Sequence, residues 1–244
     1  MPPRIAVIPA RYASSRFPGK PLAHLLGEPM IRHVHRRCLE AGCFDAVVVA
    51  TDDERIRAVC QGFGAEVALT SPDCPSGTDR VAEVARSRRL GPDTVWINVQ
   101  GDEPAVPPAS LRALAQAFDA PAVEMATLVR PLAEAERSRP SVVKVVRAES
   151  GAALYFSRAD LPFPQSGEPV RRWAHVGLYG YRQATLERLA GLSPTELERA
   201  ERLEQLRALG HGIVIHCVET QAHSPAVDLP GDVAAAEAAL RALS

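Results

Sequence analysis

Lysine is almost missing from this chain of 244 residues: of 28 basic side chains only Lys20 and Lys144 are lysine, and the other 26 are arginine. So strong a preference is what a GC-rich genome imposes, and a scattered arginine therefore carries little information. A surviving lysine raises the question of what needs a compact ammonium at its position. Charge of one sign is not in excess: 29 acidic against 28 basic residues leave a net charge of −1. That gives no electrostatic footprint for nucleic acid or an anionic membrane, and with aromatics at 5% there is no stacking platform for single strands. No apolar run approaches the roughly 20 residues that span a bilayer. The opening MPPRIAVIPAR passes from a short apolar stretch straight into charge, the pattern of a buried strand rather than a signal peptide. The five cysteines, Cys38, Cys43, Cys60, Cys74 and Cys217, form no CxxC or CxxH pair; the spacing is wrong for structural zinc and reads as free thiols in a reducing cytoplasm. What is abundant is core material. Hydrophobic residues are 46% and charged residues 23%, which excludes a disordered chain and suits one compact domain.

The first half alternates short β-branched runs with amphipathic stretches. Continuous apolar runs at 4–9 and 46–51, and again at 94–100, predict strands buried on both faces. Between them, Met30, Val34 and Cys38 fall at helical spacing within 30–41, and further helices are expected at 53–63 with Asp52 as cap, at 78–87 and at 111–118 after Pro107-Pro108. A short strand is expected at 66–69. This rhythm argues for an α/β fold with a mostly parallel central sheet and right-handed crossovers. After a strand at 125–129 the rhythm changes. Strands at 142–146, 153–156 and 175–181 leave little room for helices between them, so a small antiparallel insertion is expected over about 140–182 of an otherwise single domain. The segment 161–169, with three prolines and one glycine, is a loop. Helices at 183–189 and 194–209 (Ser193 as cap), a strand at 213–218 and a helix at 229–243 complete the chain.

In an open parallel sheet, ligands bind beyond the carboxyl ends of the strands. The first strand runs into PARYASSRFPGKP, at 9–21, where small residues, Arg11, Arg16 and Lys20 suit a triphosphate cradle. It is neither the NTPase phosphate loop nor a dinucleotide fingerprint, since GK is followed by proline and GxGxxG is missing; a basic surface loop fits the same residues. A later strand ends in NVQGDEP, at 98–104. Asp102 there is well placed for a hard metal ion, though Gly-Asp is also a common turn. Asp228 is a second candidate ligand and, equally, a candidate N-cap of the last helix.

Taken in order, IPARYASSRFPGKPL, VATDD, PSGTDR, NVQGDEP, ALYFSR, HVGLYGYR and LEQLR resemble the 3-deoxy-manno-octulosonate (Kdo) cytidylyltransferases from about residue 5 to residue 209. The related sialic-acid cytidylyltransferases carry a Gly-Ser-rich centre where this chain has Tyr12-Ala13-Ser14. The resemblance implies a three-layer sugar-nucleotide transferase α/β fold in one nucleotidyltransferase domain over 1–244. It implies a Mg²⁺-dependent reaction of CTP with Kdo giving CMP-Kdo and pyrophosphate, and a homodimeric cytoplasmic enzyme of lipopolysaccharide biosynthesis. It also implies roles: Arg11, Ser14, Arg16 and Lys20 for the nucleotide's phosphates, with Lys20 reaching them; Ser76, Gly77 and Arg80 for the base; Asp102 and Asp228 for the metal. Gln100, Arg158, His175, Tyr179, Glu204 and Gln205 match positions around the sugar, with Arg158 the natural partner of its carboxylate. Without the family, His175 reads as a core histidine, Tyr179 as packing and Glu204 as a solvated helix face. Lys144 has no such motif and is expected in a partly buried pair. Two departures stand out. Ala174 occupies the position before the strand histidine where the family usually has arginine, so either Arg172 substitutes or the sugar site differs there, and Leu229 and Gly231 replace the family's favoured Thr and Glu. The alternatives are a cytidylyltransferase for another acidic sugar, amino-Kdo or a nonulosonate, and a nucleotide-binding regulator without turnover.

Overall fold

The computed structural model describes residues 2–14, 16–221 and 224–243. In chain order the elements are β1 (Arg4–Ala10), the hairpin β2 (His24–Leu25) and β3 (Glu28–Pro29), α1 (Met30–Ala41), β4 (Ala46–Thr51), α2 (Glu54–Gly62), β5 (Glu66–Leu69), α3 (Gly77–Arg88), β6 (Val95–Asn98), α4 (Pro108–Gln116) and β7 (Met125–Pro131). There follow β8 (Lys144–Arg147), β9 (Ala153–Ser157), β10 (Trp173–Arg182), α5 (Gln183–Ala190), α6 (Glu196–Glu201), α7 (Gln205–Gly210), β11 (His216–Glu219) and α8 (Val233–Arg241).

The main sheet has the order β11-β7-β10-β6-β1-β4-β5. Its strands are parallel neighbours from β6 through β1 and β4 to β5, and again between β7 and β11. The exception is β10, antiparallel to both β6 and β7. It also pairs with β8, which pairs with β9. The antiparallel region expected over about 140–182 is therefore not separate from the sheet: its last strand is a central member of it. Alternate residues of β1 feed two cores. Ile5 and Val7 join Trp96, Val81 and Tyr181 on one face, while Ala6 and Ile8 join Ile31, Val34 and Leu114 on the other. Two faces each covered by helices give the three layers.

The topology positions the site. From β1 the chain passes through α1 to β4 on one side, and returns through α3 to β6 on the other side of β1. The carboxyl ends of β1 and β6 thus flank the point where strand order reverses, the usual ligand crevice of such sheets. The loops leaving them touch: a Cβ on Gly101 would lie 2.7 Å from the carbonyl oxygen of Pro9. Only glycine permits that approach.

Four local expectations need correction. Asp53, not Asp52, caps α2, accepting from the amides of Arg55 and Ile56; Asp52 turns instead towards Arg80, 3.4 Å away. The expected helix over 194–209 is two helices, because Arg202 adopts a left-handed φ of 52°. The carbonyl freed at Glu201 is taken by Arg158 Nε at 2.9 Å, and the Glu201 carboxylate receives Ser157 Oγ and the Arg158 amide. The cap is Thr195 in a capping box with Glu198, not Ser193. Finally, the last helix starts late, after a 3-10 turn at Pro230–Asp232.

Candidate active site

A cleft of about 460 Å³ opens at the switch point, lined by Arg11, Ser14, Arg16, Lys20, Gly77, Arg80, Gln100 and Asp102. Most of the residues assigned to the nucleotide are thereby brought together. Ser15 of the same loop lies outside the described residues. Lys20 is the centre of the charge arrangement: its Nζ lies 2.6 Å from Asp102 Oδ2 and 3.5 Å from Asp228 Oδ1. Arg16 Nη2 lies 3.0 Å from the same Asp228 oxygen. Two carboxylates from loops 126 residues apart in sequence thus converge on one cation-sized position.

Asp228 is available for this because it does not cap the last helix. Asp232 Oδ2 accepts from the backbone amides of Asp228 and Leu229, at 2.9 and 2.8 Å. The amide donors hold the Asp232 carboxyl below its usual range. At the next position after Asp102, burial and the Asp102 charge push the Glu103 carboxyl up to about 8, so this loop presents one anion rather than two at neutral pH.

On the base side, Ser76 caps α3, accepting from the Asp79 amide and donating to the Asp79 carboxylate. Arg80 is buried, with Nη1 donating to Thr70 Oγ1 and Nη2 near Asp52. That Nη2 and Asp52 Oδ1 are both buried without a hydrogen bond. An unsatisfied buried donor on the wall of a cleft is where a polar ligand edge would gain most.

The sugar-side residues form a second polar cluster around β10. The rings of His175 and Tyr179 lie 5.3 Å apart, and Tyr179 stacks on Tyr181. The Glu204 carboxylate is near enough to raise both phenol pKa values, after the larger effect of burial. Tyr179 Oη and Gln205 Nε2 are buried without a hydrogen bond, as is Oδ1 of Asn98, which pairs with Tyr179 across β6 and β10. Asn98 adjoins the cleft, its Nδ2 3.8 Å from where a Cβ on Gly77 would lie, but of the sugar-side residues only Gln100 lines the cleft; Arg158, His175, Tyr179, Glu204 and Gln205 do not. Sequence reading missed Asn98 and gave Asp52 only as a helix cap, although both lie inside quoted motifs; their chemistry is visible only once burial shows which polar atoms lack partners.

Arg158 is placed differently from a free carboxylate partner. Its Nε and Nη1 donate to the carbonyls of Glu201 and Pro140, each at 2.9 Å, and only Nη2 is loosely held, 3.5 Å from the Arg202 carbonyl. Arg172, the substitute considered for the arginine missing at Ala174, sits 3.4 Å from Asp160. Arg171 stacks on Trp173 and pairs with Glu219. Neither lines the cleft.

His175 is neutral. Its Nε2 is 3.0 Å from Thr127 Oγ1, and desolvation among the rings lowers its pKa to about 3. Between that value and the unfolded-state value near 6.5, the unfolded chain binds the extra proton, so the contribution is complete above about pH 6.5 and is lost as pH falls. The stability advantage of the wild type over His175→Asn should shrink by about 1.4 kcal/mol per pH unit below that point. Parallel denaturation curves from pH 7 to pH 4 check it; a pH-independent difference would refute it.

The cytidylyltransferase family model matches residues 5–215. The 3-deoxy-manno-octulosonate cytidylyltransferase of Myxococcus xanthus is 59% identical over 98% of this chain and 96% of its own length. That of Halorhodospira halophila is 50% identical, over 94% and 93%. A solved structure of CMP:2-keto-3-deoxy-manno-octonic acid synthetase complexed with CTP superposes with a TM-score of 0.94 at 42% identity, covering 99% of this chain and 100% of that one. With the fold, the cleft and nearly full-length likeness in agreement, this chain belongs to the 3-deoxy-manno-octulosonate cytidylyltransferases within the cytidylyltransferase family.

Proposed function

We propose that this chain transfers the CMP unit of CTP to Kdo, releasing pyrophosphate and forming CMP-Kdo, in a magnesium-dependent reaction that serves lipopolysaccharide biosynthesis. The observation that carries the reading is the convergence of Asp102, Asp228 and Lys20, with Arg16 beside them, at the switch point of the sheet. The anomeric oxygen of the sugar bonds to the α-phosphorus, the bond from that phosphorus to the pyrophosphate oxygen breaks, and the hydroxyl proton leaves to solvent. No covalent enzyme intermediate is needed, so positioning and charge do most of the catalysis.

Magnesium fits the donors present. It takes oxygen ligands, often only one or two carboxylates, with phosphates and waters completing the set. Asp102 and Asp228 already share one cation, and no group of three or more His, Cys, Asp or Glu side chains converges among the described residues. When bound to these two aspartates, the ion would neutralise phosphate charge and polarise the α-phosphoryl group. Arg11, Ser14, Arg16 and Lys20 hold the triphosphate, and Ser76, Gly77 and Arg80 face the cytosine. Gln100, His175, Tyr179, Glu204 and Gln205 order the sugar hydroxyls. Arg158 meets the sugar carboxylate through Nη2, its loosest nitrogen. A homodimer in the cytoplasm is part of the proposal, on the strength of the family resemblance. Among the described residues no helix is long and apolar enough to cross a membrane.

The missing arginine at Ala174 favours testing a second acceptor, amino-Kdo, alongside Kdo. Pyrophosphate release from CTP and Mg²⁺ is measured with Kdo, amino-Kdo and sialic acid. Kdo should be the fastest; a preference for either other sugar replaces the acceptor, and CTP binding without turnover on any of them favours the regulator. Catalytic efficiency for Kdo against its decarboxy analogue then tests Arg158. Arg158→Ala should abolish most of the wild type's discrimination and Arg158→Lys should restore part of it, since an ammonium lacks the planar donor pair. Full discrimination in Arg158→Ala removes this residue from the sugar site.

A further inference from the structure

The phosphate-facing loop owes its shape to a residue that does not line the cleft. The carbonyl of Tyr12 accepts the amides of both Ser14 and Gly19, each at 2.9 Å, and so closes the loop on itself. The ring of Tyr12 lies against Gly19. A Cβ built there would meet two carbons of the ring and its hydroxyl oxygen at 3.1–3.3 Å, and Gly19 has a φ of +71°. On the ring, the guanidinium carbon of Arg55 lies 3.3 Å from the centroid. Arg55 is itself fixed by two bonds to Asp53, Nε to Oδ1 at 3.0 Å and Nη2 to Oδ2 at 2.6 Å. Asp53 is the N-cap of α2. Lys20, whose ammonium reaches Asp102 and Asp228, follows Gly19 directly.

We propose that Arg55 and Tyr12 form a clamp that sets the position of the triphosphate-binding loop, making both of them positioning residues for CTP. The chain of contacts runs from the start of α2 through Asp53 and Arg55 to the Tyr12 ring, and from there to Gly19 and Lys20. The ring supplies an electron-rich face that attracts the cation, and its Cε2, Cζ and hydroxyl fill the space left by the absent Gly19 side chain. Without the clamp the loop retains Arg11, Arg16 and Lys20 but loses the fixed separation between them. Preorganisation is lost, and CTP must order the loop as it binds. This rests on the reading of the loop as a triphosphate cradle.

Steady-state KM for CTP and kcat, with Kdo saturating, are measured for the wild type, Tyr12→Leu, Tyr12→Phe, Arg55→Ala and the double variant Tyr12→Leu/Arg55→Ala. Arg55→Ala should raise KM about five-fold and Tyr12→Leu about ten-fold, with kcat changed by less than about three-fold. Tyr12→Phe keeps the ring and should stay within about two-fold of the wild type in KM. In the Tyr12→Leu background, Arg55→Ala should add nothing further, because its partner is gone. A loss of general attraction between Arg55 and the triphosphate would instead persist in that background, and independent effects would overturn the clamp. So would a fall in kcat at unchanged KM, or damage by Tyr12→Phe equal to that by Tyr12→Leu. Should Tyr12→Leu fail to fold, Arg55, whose side chain is 60% exposed, still decides the matter: Arg55→Ala raises KM and Arg55→Lys restores most of it, or the clamp is wrong. A wild type that does not turn over CTP with Kdo refutes the proposed function instead, and is a separate result.

Discussion

Asp102→Asn and Asp228→Asn each lower turnover by about 10²-fold or more, because each removes a charge from the pair that would hold a phosphate-neutralising ion. The amide preserves shape, so the comparison isolates charge. The fold should survive both changes for reasons specific to each site. Asp102 follows Gly101 on a loop whose path is set by backbone contact with Pro9. Asp228 leaves capping to Asp232. Turnover at limiting Mg²⁺ and thermal melting, measured together, check the expectation. Near-wild-type rates in both variants would sink the assignment of the pair, and collapse of the melting temperature would move the two residues from chemistry to structure.

Lys20→Ala and Lys144→Ala, the only two lysines, should fail in opposite ways. Lys20 Nζ sits between two carboxylates at the mouth of the cleft. Its removal deletes a charge-assisted contact worth roughly 1.5–3 kcal/mol, about one to two decades of rate. Lys144 is buried on β8, and its ammonium donates to the carbonyls of Arg139 and Arg158, at 2.8 and 3.0 Å. Burial lowers its pKa. Alanine there takes the lysine donor from the Arg158 carbonyl and leaves the Arg139 carbonyl only the Val142 amide, at a cost of about 1–3 kcal/mol in stability, with the rate per folded molecule nearly unchanged. Denaturant midpoints and rates normalised to folded protein separate the two effects. A larger rate loss for Lys144→Ala would overturn the reading of the loop.

The parallel half of the fold was legible because burial on both faces leaves continuous apolar runs. The bounds of β4, β5 and α1 are those expected from the sequence. The break between α6 and α7 was not, since no glycine or proline marks it. Arg202 takes the left-handed conformation and Arg158 accepts the role of capping the freed carbonyls, a contact between residues 43 and 44 apart. The same long-range contact explains why Arg158 looked like a free cation in sequence. Asp228 illustrates the converse. Its neighbourhood suggested a helix cap, and the competing carboxylate four residues on, Asp232, decides which of the two is free to face Lys20. Motif spacing therefore located the cleft, while the partners of each charged group depended on tertiary structure.

The strand that carries His175 and Tyr179 begins as the third strand beside β8 and β9, with Trp173 opposite Val145 and Ala174 opposite Lys144. It pairs with β7 from Trp173 onward and then gains β6 on its other side, placing Tyr179 against Asn98 and Thr127. One continuous strand thus bears both a peripheral hairpin and the floor of the polar cluster. The strand shifts register between Val176 and Tyr179, so the joint between hairpin and floor lies inside the strand itself, at an irregularity four residues wide, rather than in a linker between two modules.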